Sequence, residues 1–279
     1  MSSLAGNLAE MYLDRELEVA CRLAIEAGAA LRSRQHGPLE IRHKENGEIV
    51  TPADLASNEI ICRGLAEAFP ADTIYSEENR FVVMESGNQR VWIVDPLDST
   101  SNYVQQGDEY SLSIGFAIKG QATLGVVYNP SRDELFSGYC GRGAFCNDAR
   151  VVCTSTSAGS HQPRLLVSRT DWKRGLNAVT GSMLVQPMAS MAYKLARVAA
   201  GKEDAVFSLK TRKPWGTCAG TALVLAAGGR VTSLDGEPLV FDCRGPRTFD
   251  GMVAANRNLH QSILALAAGL RSALAQSAE

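Results

Sequence analysis

Acidic residues gather at three places in the first hundred residues, and their spacing could build a site for a cation. They are Asp54 in TPAD, Glu77 and Glu78 in YSEEN, and Asp95 and Asp98 in WIVDPLDSTSNY. Asp95 follows an apolar run that predicts a strand ending at this residue, and Pro96 fixes the turn that comes next. We therefore expect the carboxylate of Asp95, the carbonyl of Leu97 and the carboxylate of Asp98 to converge.

Converging carboxylates repel each other unless a cation lies among them. Oxygen ligands without sulfur or imidazole are typical of Mg²⁺ sites. The four histidines are scattered without metal-like spacing, and no GxxxxGK loop occurs. The sequence therefore favours a magnesium site over a zinc site, a histidine-based nucleophilic mechanism or an NTPase.

Each acidic position also has an ordinary structural explanation. Asp54 can be the acid of a capping box, with Thr51 as the cap of a helix that starts at Pro52. Glu77 and Glu78 can form a solvated turn, and DPLDST can form a surface Asx turn. The chemical interpretation rests on all these segments occurring together and in order.

The first half of the chain contains the elements that must position these residues. Residues 7–33 show helical periodicity, and a second helix is expected from Pro52 to about Phe69. Short apolar or alternating runs between 91 and 145 predict consecutive, mostly antiparallel strands. We predict an α+β subdomain over residues 1–155 that carries the metal site.

The second half changes to alternating strands and helices, which predicts an α/β subdomain over residues 156–279. The expected elements are strand RLLVS, helix 189–200, strand DAVFSL, helix 217–227, strand RVTSL, strand GMVAA and a last helix from about 257. A polar link at 155–163 separates the two halves. We expect the ligand to bind in a cleft between them.

Composition limits the classes of partner. The 279 residues carry a net charge of −2, so neither nucleic acid nor an anionic membrane surface is expected as the main partner. No apolar run approaches the ~20 residues of a membrane span, and the N-terminal residues do not resemble a secretory signal. Seven cysteines without a C-x-x-C spacing predict buried free thiols in a reducing cytoplasm.

The motifs TPAD, YSEEN, WIVDPLDSTSNY and WGTCAG followed by AAGG resemble those of the inositol monophosphatase family of Mg²⁺-dependent phosphatases. That family includes 3'(2'),5'-bisphosphate nucleotidases and shares its architecture with fructose bisphosphatase. The resemblance covers about residues 10 to 260. It implies a layered αβαβα sandwich, often homodimeric. It also implies hydrolysis of a small phosphate monoester similar to inositol monophosphate or 3'-phosphoadenosine 5'-phosphate.

The resemblance also assigns metal ligands by matching position. Glu77, Asp95 and the carbonyl of Leu97 would hold one Mg²⁺. Asp95 and Asp98 would begin a second site. Metal ions suit phosphoryl transfer because the reaction depends mainly on positioning and charge neutralisation.

Catalytic and phosphate-binding roles follow from the same resemblance. Thr100, together with Glu77, would orient the attacking water and help to deprotonate it, and Asp54 would support the water network. Ser99 and Thr100 would receive phosphate oxygens if their backbone N–H groups open a helix.

Two residues depart from the family pattern. Ser99 stands where glycine is usual, which has a cost if the backbone there is left-handed. Gly216 follows Trp215 where the family has an aspartate that completes the second metal site. Three explanations stay open: a water replaces the missing ligand, the protein uses fewer ions, or it has lost hydrolysis and only binds phosphorylated ligands.

Basic residues give the clues to the substrate. Arg169 in VSRTD and Lys194 in SMAYKLARVAAG resemble positions in nucleotide-acting relatives, and both would suit a second phosphate. A solvated charge on a helix explains Lys194 equally well. Lys44, ten residues before Asp54, could reach the cleft from a mobile loop, but we expect an ordinary surface lysine.

Overall fold

The computed structural model of the chain describes residues 12–37, 40–45, 47–78, 89–157, 159, 162–173, 183–242 and 248–276. The helices in these ranges are α1 (Asp14–Gln35), α2 (Pro52–Ala68), α3 (Thr100–Val104), α4 (Arg169–Lys173), α5 (Met191–Ala199), α6 (Cys218–Ala226) and α7 (His260–Gln276). None of them is both long enough and apolar enough to cross a bilayer.

The strands of the described residues form two large sheets and one hairpin. They are β1 (Arg42–His43), β2 (Ile49–Val50), β3 (Thr73–Ser76), β4 (Arg90–Asp98), β5 (Ser111–Ile118), β6 (Gln121–Asn129), β7 (Glu134–Tyr139), β8 (Gly143–Cys146), β9 (Ala149–Val151), β10 (Arg164–Val167), β11 (Leu184–Pro187), β12 (Ala205–Arg212), β13 (Arg230–Thr232) and β14 (Phe249–Ala255).

The elements stack in five layers, which confirms the predicted αβαβα sandwich. Helices α1 and α2 cover one face of a seven-stranded sheet, and the apolar core between them is continuous. Helices α5 and α6 lie between that sheet and a five-stranded sheet. Helix α7 covers the outer face of the second sheet with a third core.

The seven-stranded sheet has the order β3-β4-β5-β6-β7-β8-β9. All neighbours are antiparallel except β3 and β4, which run parallel. The predicted run of mostly antiparallel strands between 91 and 145 is therefore confirmed. The five-stranded sheet, in the order β11-β10-β12-β14-β13, is mixed, with β10 parallel to both of its neighbours.

Helix α2 forms as the sequence predicts. Thr51 caps it, Pro52 occupies the first turn, and Asp54 completes a capping box that satisfies backbone N–H groups at the helix start. Helix α1 begins later than expected, at Asp14, and ends at Gln35. Residues 7–11 of the predicted helix lie outside the described residues.

Helix α6 packs unusually close to the first sheet at two paired glycines. Gly115 on β5 lies opposite Gly125 on β6. A Cβ at Gly115 would lie 2.7 Å from the Cβ of Cys218, and one at Gly125 would collide with the carbonyl oxygen of Ala219. The absence of side chains at these two positions lets the first turn of α6 pack directly on β5 and β6, of which β5 is the neighbour of β4.

Candidate active site

Strand β4 brings two acidic residues to one face of the first sheet. The strand does not end at Asp95, as the sequence predicted, but continues through a bulge at Pro96 to Asp98. Proline is tolerated there because a bulge leaves one residue out of the ladder. Asp95 pairs with Ser113 and Asp98 with Ser111, two residues apart on β5. Because the extra residue restores the alternation, both carboxylates lie on the same face.

Strand β3 places Glu77 beside Asp95. The strands are parallel, with Ser76 paired to Val94, and the amide N–H of Glu77 donates to the carbonyl oxygen of Val94 at 3.1 Å. The next residues along the two strands, Glu77 after β3 and Asp95 on β4, are therefore neighbours. The predicted convergence of the two segments is what the structure shows.

These residues line a cavity of about 490 Å³ at the junction of the two halves. From the first half come Glu77, Asp95, Leu97, Asp98, Ser99 and Thr100, and the opposite wall includes Met191, Arg212, Lys213, Trp215 and Gly216. The volume suits a small metabolite. The division of the chain near 155–163 stays a prediction, although the described residues between 152 and 163 belong to no helix or strand.

The carboxylate of Asp95 lies in an unfavourable field. Its side chain is buried, with 3% exposure, and burial is the largest cause of a pKa well above the ordinary range. The negative charges of Glu77 and Asp98 raise the pKa further, whereas a hydrogen bond from the N–H of Leu97 lowers it. A cation bound at this point would relieve the repulsion.

Lys44 reaches this acidic cluster from the hairpin of β1 and β2. Its Nζ lies 3.0 Å from Oε1 of Glu77 and 2.6 Å from Oε1 of Glu78. Burial alone would lower the pKa of Lys44, but the two contacts raise it overall. The expectation of an ordinary surface lysine was wrong, because the hairpin folds back over the end of β3.

Asp54 and Thr100 form a hydrogen-bonded pair beside the cavity. Oδ2 of Asp54 accepts from the backbone N–H and hydroxyl of Thr51, at 2.9 and 2.6 Å. Oδ1 accepts from the hydroxyl of Thr100 at 2.9 Å. Asp54 therefore serves the capping box and also orients Thr100, so the two interpretations of this residue are compatible. Thr100 lines the cavity, whereas Asp54 is buried behind it.

Asp98 joins the first half to helix α5 of the second half. Its Oδ2 accepts hydrogen bonds from the hydroxyl of Ser190 at 2.7 Å and from the N–H of Ala192 at 2.8 Å. These donors lie at the start of α5, where a carboxylate is favoured. Asp98 is thereby held in place with Oδ1 left for other contacts. Sequence reasoning did not single out Ser190, although a serine before a helical run is a recognisable cap.

Ser99 has a left-handed backbone, with φ of 78° and ψ of 53°. This conformation is the one for which glycine is usual and for which serine has a cost. The chain turns here from β4 into α3, and the turn brings Thr100 to the cavity. The backbone at Ser99 is therefore left-handed, which is the case in which serine in place of glycine has a steric cost.

Gly216 occupies the wall opposite Asp95. A Cβ at Gly216 would lie 3.6 Å from Oδ2 of Asp95, with no closer neighbour. A carboxylate at this position would therefore project into the acidic cluster without a clash. The segment is anchored by the carbonyl oxygen of Trp215, which accepts from the hydroxyl of Ser113 at 3.1 Å, and by the Trp215 ring against Tyr75.

Arg169 and Lys194, predicted to bind substrate, do not line the cavity. Arg169 is exposed and pairs with Glu109 at 2.8 Å. Lys194 is 2% exposed, so it is not a solvated helix charge, and its Nζ donates to the carbonyl oxygen of Met188 at 3.0 Å. Burial is the main cause that lowers the pKa of Lys194 to about 7, followed by the charge of Arg212.

The donor atoms at this site fit Mg²⁺. In the described part of the chain, no three His, Cys, Asp or Glu side chains form a metal-binding group by themselves. Glu77 is paired with Lys44 at 3.0 Å. Mg²⁺ is usually bound by one or two carboxylates and keeps several waters, so Asp95, Asp98 and the carbonyl of Leu97 are a sufficient set of oxygen atoms.

Comparison with known proteins agrees with this geometry. The sequence profile of the inositol monophosphatase family matches residues 13–272. Inositol-1-monophosphatase of Bacillus subtilis (strain 168) is 29% identical over 256 residues, which cover 88% of this chain and 94% of that protein. The Nus factor SuhB of Escherichia coli (strain K12) is 32% identical over 233 residues, 79% of this chain and 85% of that protein.

A solved structure shows the same fold. Inositol monophosphatase from Anabaena (Nostoc) sp. PCC 7120 superposes with a TM-score of 0.76 at 28% identity, covering 91% of this chain and 95% of that one. The match of the profile extends from before α1 into α7 and includes every residue of the cavity wall. The chain therefore belongs to the inositol monophosphatase family.

Proposed function

We propose that the protein is a Mg²⁺-dependent phosphatase of a small phosphate monoester, similar to inositol monophosphate or 3'-phosphoadenosine 5'-phosphate. The observation that carries the proposal is the placement of Asp95 and Asp98 on one face of β4, beside Glu77, in a cavity of about 490 Å³. Family membership supports the class of reaction.

Bound Mg²⁺ would supply charge neutralisation for the phosphate and for the attacking water. Asp95, Asp98, Glu77 and the carbonyl of Leu97 are the residues that would hold it. The raised pKa of Asp95 supports this assignment, since an anion buried among other anions is stable when a cation lies between them.

Thr100 would position the nucleophile. Its hydroxyl donates to Oδ1 of Asp54, so its lone pairs are free to accept a hydrogen bond from a water molecule in the cavity. While one O–H of the water donates to Thr100, Glu77 on the neighbouring strand would accept the water's other proton as the oxygen attacks phosphorus. Ser99 and Thr100 would contact the phosphate through backbone N–H groups of the turn.

The rival function is a weak or inactive family member that binds phosphorylated ligands. Gly216 favours this alternative because it removes one carboxylate from the wall facing Asp95. The loss of a ligand that acts in the transition state lowers the rate tenfold for every ~1.4 kcal/mol. Glu77, Asp95, Asp98, Asp54 and Thr100 are all present, which supports residual catalysis.

Release of phosphate from a panel of esters, with Mg²⁺ and with EDTA, tests the proposal. The wild-type protein should hydrolyse at least one ester in Mg²⁺ and none in EDTA. A matched Gly216→Asp variant should bind a second Mg²⁺ in a calorimetric titration, against one tight ion in the wild type. A silent wild type beside an active variant would establish the binding role, and silence of both on every ester would refute the substrate class.

Two further properties remain proposals. We infer a cytoplasmic location from cysteine usage, and the free cysteines are Cys21, Cys62, Cys140, Cys146, Cys153 and Cys218. Cys243 lies outside the described residues. We also infer a homodimer, with neither nucleic acid nor membrane as the substrate; sedimentation of the purified protein would test the oligomeric state.

A further inference from the structure

A bulge in β12 places an arginine in the wall of the cavity. The register with β14 changes from Ser208 opposite Met252 to Thr211 opposite Asp250, so β12 carries one extra residue. Bulges re-aim the side chains that follow them. Arg212, the last residue of β12, lines the cavity on the same wall as Gly216.

The guanidinium of Arg212 is fixed at one end and free at the other. Its Nε donates to the hydroxyl of Ser208 at 2.6 Å, across the bulge, and Ser208 is fully buried. Its Nη2 is also buried, yet it has no hydrogen-bond partner among the described residues. A buried donor left without an acceptor is destabilising, and more so when it is charged. The missing acceptor is therefore expected from a bound ligand.

The charged neighbours of Arg212 are already engaged with other groups. Burial lowers the pKa of Arg212, and the charges of Asp98 and Asp171 raise it. Asp98 accepts from the start of α5, and Asp171 accepts from the hydroxyl of Ser168. Of the nearby cations, Lys194 donates to a carbonyl oxygen, and Lys213, which also lines the cavity, lies over the ring of Trp215 at 5.6 Å. Arg212 thus retains an unused donor in a part of the cavity where an anion would be stabilised.

The glycine at position 216 suggests a specific role for the positive charge of Arg212. The short segment from Arg212 to Gly216 lacks the carboxylate that would face Asp95, and it carries an arginine that lines the same cavity as Asp98. A guanidinium cannot bind Mg²⁺, but it can provide the positive charge that a second ion would provide. An arginine placed at developing charge accelerates phosphoryl transfer strongly in other enzymes.

We propose that Arg212 is a catalytic residue that contacts the phosphate ester on its leaving-group side and there replaces the charge of a second Mg²⁺. This inference rests on the proposed phosphatase function. In the reaction, a bond forms between the water oxygen and phosphorus while the bond to the ester oxygen breaks. The electron pair passes to the ester oxygen, Arg212 donates a hydrogen bond to it and keeps its proton, and solvent water supplies the proton of the released alcohol.

The leaving-group dependence of the rate tests this role. Arg212→Gln should lower kcat for glycerol 2-phosphate about 10- to 100-fold, the effect of losing one charged hydrogen bond. For p-nitrophenyl phosphate, whose leaving oxygen needs little stabilisation, the loss should stay below about threefold. Lys210→Gln is the matched control, because it removes a charge from the same bulge and Lys210 does not line the cavity. Equal losses on both esters, or none, would overturn the proposal.

Binding of inorganic phosphate gives a readout independent of turnover. In calorimetry with Mg²⁺ present, the affinity for inorganic phosphate should be about tenfold weaker for Arg212→Gln than for the wild type. Arg212→Lys should lie between them, because lysine keeps the positive charge but lacks the paired N–H donors of a guanidinium. Unchanged affinity would refute the contact even if the wild type hydrolyses no ester, so this result separates failure of the inference from failure of the proposed function.

A double variant tests whether the arginine and the ion are alternatives. Arg212→Gln with Gly216→Asp should bind two Mg²⁺ and recover most of the activity that Arg212→Gln alone loses. The effects of the two substitutions should therefore be strongly non-additive. Additive effects, with one ion bound in the double variant, would show that Arg212 does not replace the second ion.

Discussion

The hydroxyl of Thr100 is the group through which the protein itself would orient the nucleophile. Its contact with Asp54 is fixed, because the other oxygen of that carboxylate is committed to Thr51. The position of Thr100 therefore depends on the first turn of α2, an element outside the cavity. Removing the hydroxyl would leave the bonds from Thr51 to Asp54 in place.

Replacing Thr100 with valine should lower kcat about 100-fold and leave KM nearly unchanged, because the water loses its orienting acceptor while the shape of the side chain stays. Thr100→Ser, which retains the hydroxyl, should keep most of the activity. Steady-state kinetics of both variants on the best ester checks this expectation. A comparable loss in Thr100→Ser would assign the effect to packing of the methyl group instead.

The backbone of Ser99 provides a prediction about stability. Ser99→Gly should raise the free energy of unfolding by up to about 1 kcal/mol, because glycine adopts the left-handed conformation without steric cost. Ser101→Gly, two residues later within helix α3, should lower it by a similar amount. Urea denaturation measures both, and a loss of stability in Ser99→Gly would contradict the steric explanation.

Individual site residues could be predicted from the sequence where several neighbouring residues indicated the same structure. Asp95 and Asp98 were predicted to converge because an apolar run ends at Asp95 and Pro96 turns the chain, whereas Glu77 was assigned to the same site only by the family resemblance. Lys44 was considered for the cleft but judged an ordinary surface lysine, and Arg212 was not singled out, since their positions depend on a hairpin that folds back and on a bulge. Neither feature leaves a clear local pattern in the sequence.

Among the elements, α7 is attached to the second sheet through a buried histidine. His260 is 1% exposed, its Nε2 lies 3.1 Å from the hydroxyl of Thr232 on β13, and its Nδ1 has no partner among the described residues. Burial is the main cause that lowers the pKa of His260 to about 4, and the charge of Arg230 acts in the same direction. The folded protein thus holds this imidazole neutral.

The histidine should make stability depend on pH. Below its unfolded pKa of about 6.5, the unfolded chain binds a proton that the folded chain does not bind. Stability is therefore complete above pH 6.5 and falls towards pH 4, by about 3 kcal/mol at most. His260→Gln should flatten this part of the curve in thermal melts at several pH values. An unchanged slope in the variant would assign the acid sensitivity to other groups.

Elements with strong local signals were predicted well, and irregular ones were not. Helix α2 was predicted because its cap, its proline and its acid act within one turn. Strand β4 was expected to end at Asp95, since proline usually interrupts a ladder. It continues because a bulge accommodates Pro96, and bulges depend on pairing with a neighbouring strand.

On the scale of the whole molecule, helices α5 and α6 form a layer that packs against both sheets. One continuous core contains side chains from both sheets and from these two helices. The layered architecture was predictable from the order of strands and helices together with the family motifs. The close contact between α6 and the first sheet was not, because it depends on two glycines becoming paired neighbours.

The shared layer predicts that the first half will not fold alone. A chain ending at residue 155 lacks α5 and α6, so the apolar face of the seven-stranded sheet that they cover would be open to water. Such a fragment should aggregate or lack a cooperative unfolding transition, and co-expression with residues 156–279 should restore solubility. A monomeric, cooperatively unfolding fragment would show that the halves are independent.

The close packing of α6 against Gly115 and Gly125 also limits how the protein can move. A hinge rotation that moved the two sheets apart would separate α6 from these glycines. It would also break the continuous core between the sheets. If the proposed phosphatase activity holds, substrate entry and product release are therefore expected to use side chains and loops at the mouth of the cavity, with no large domain rotation in each turnover.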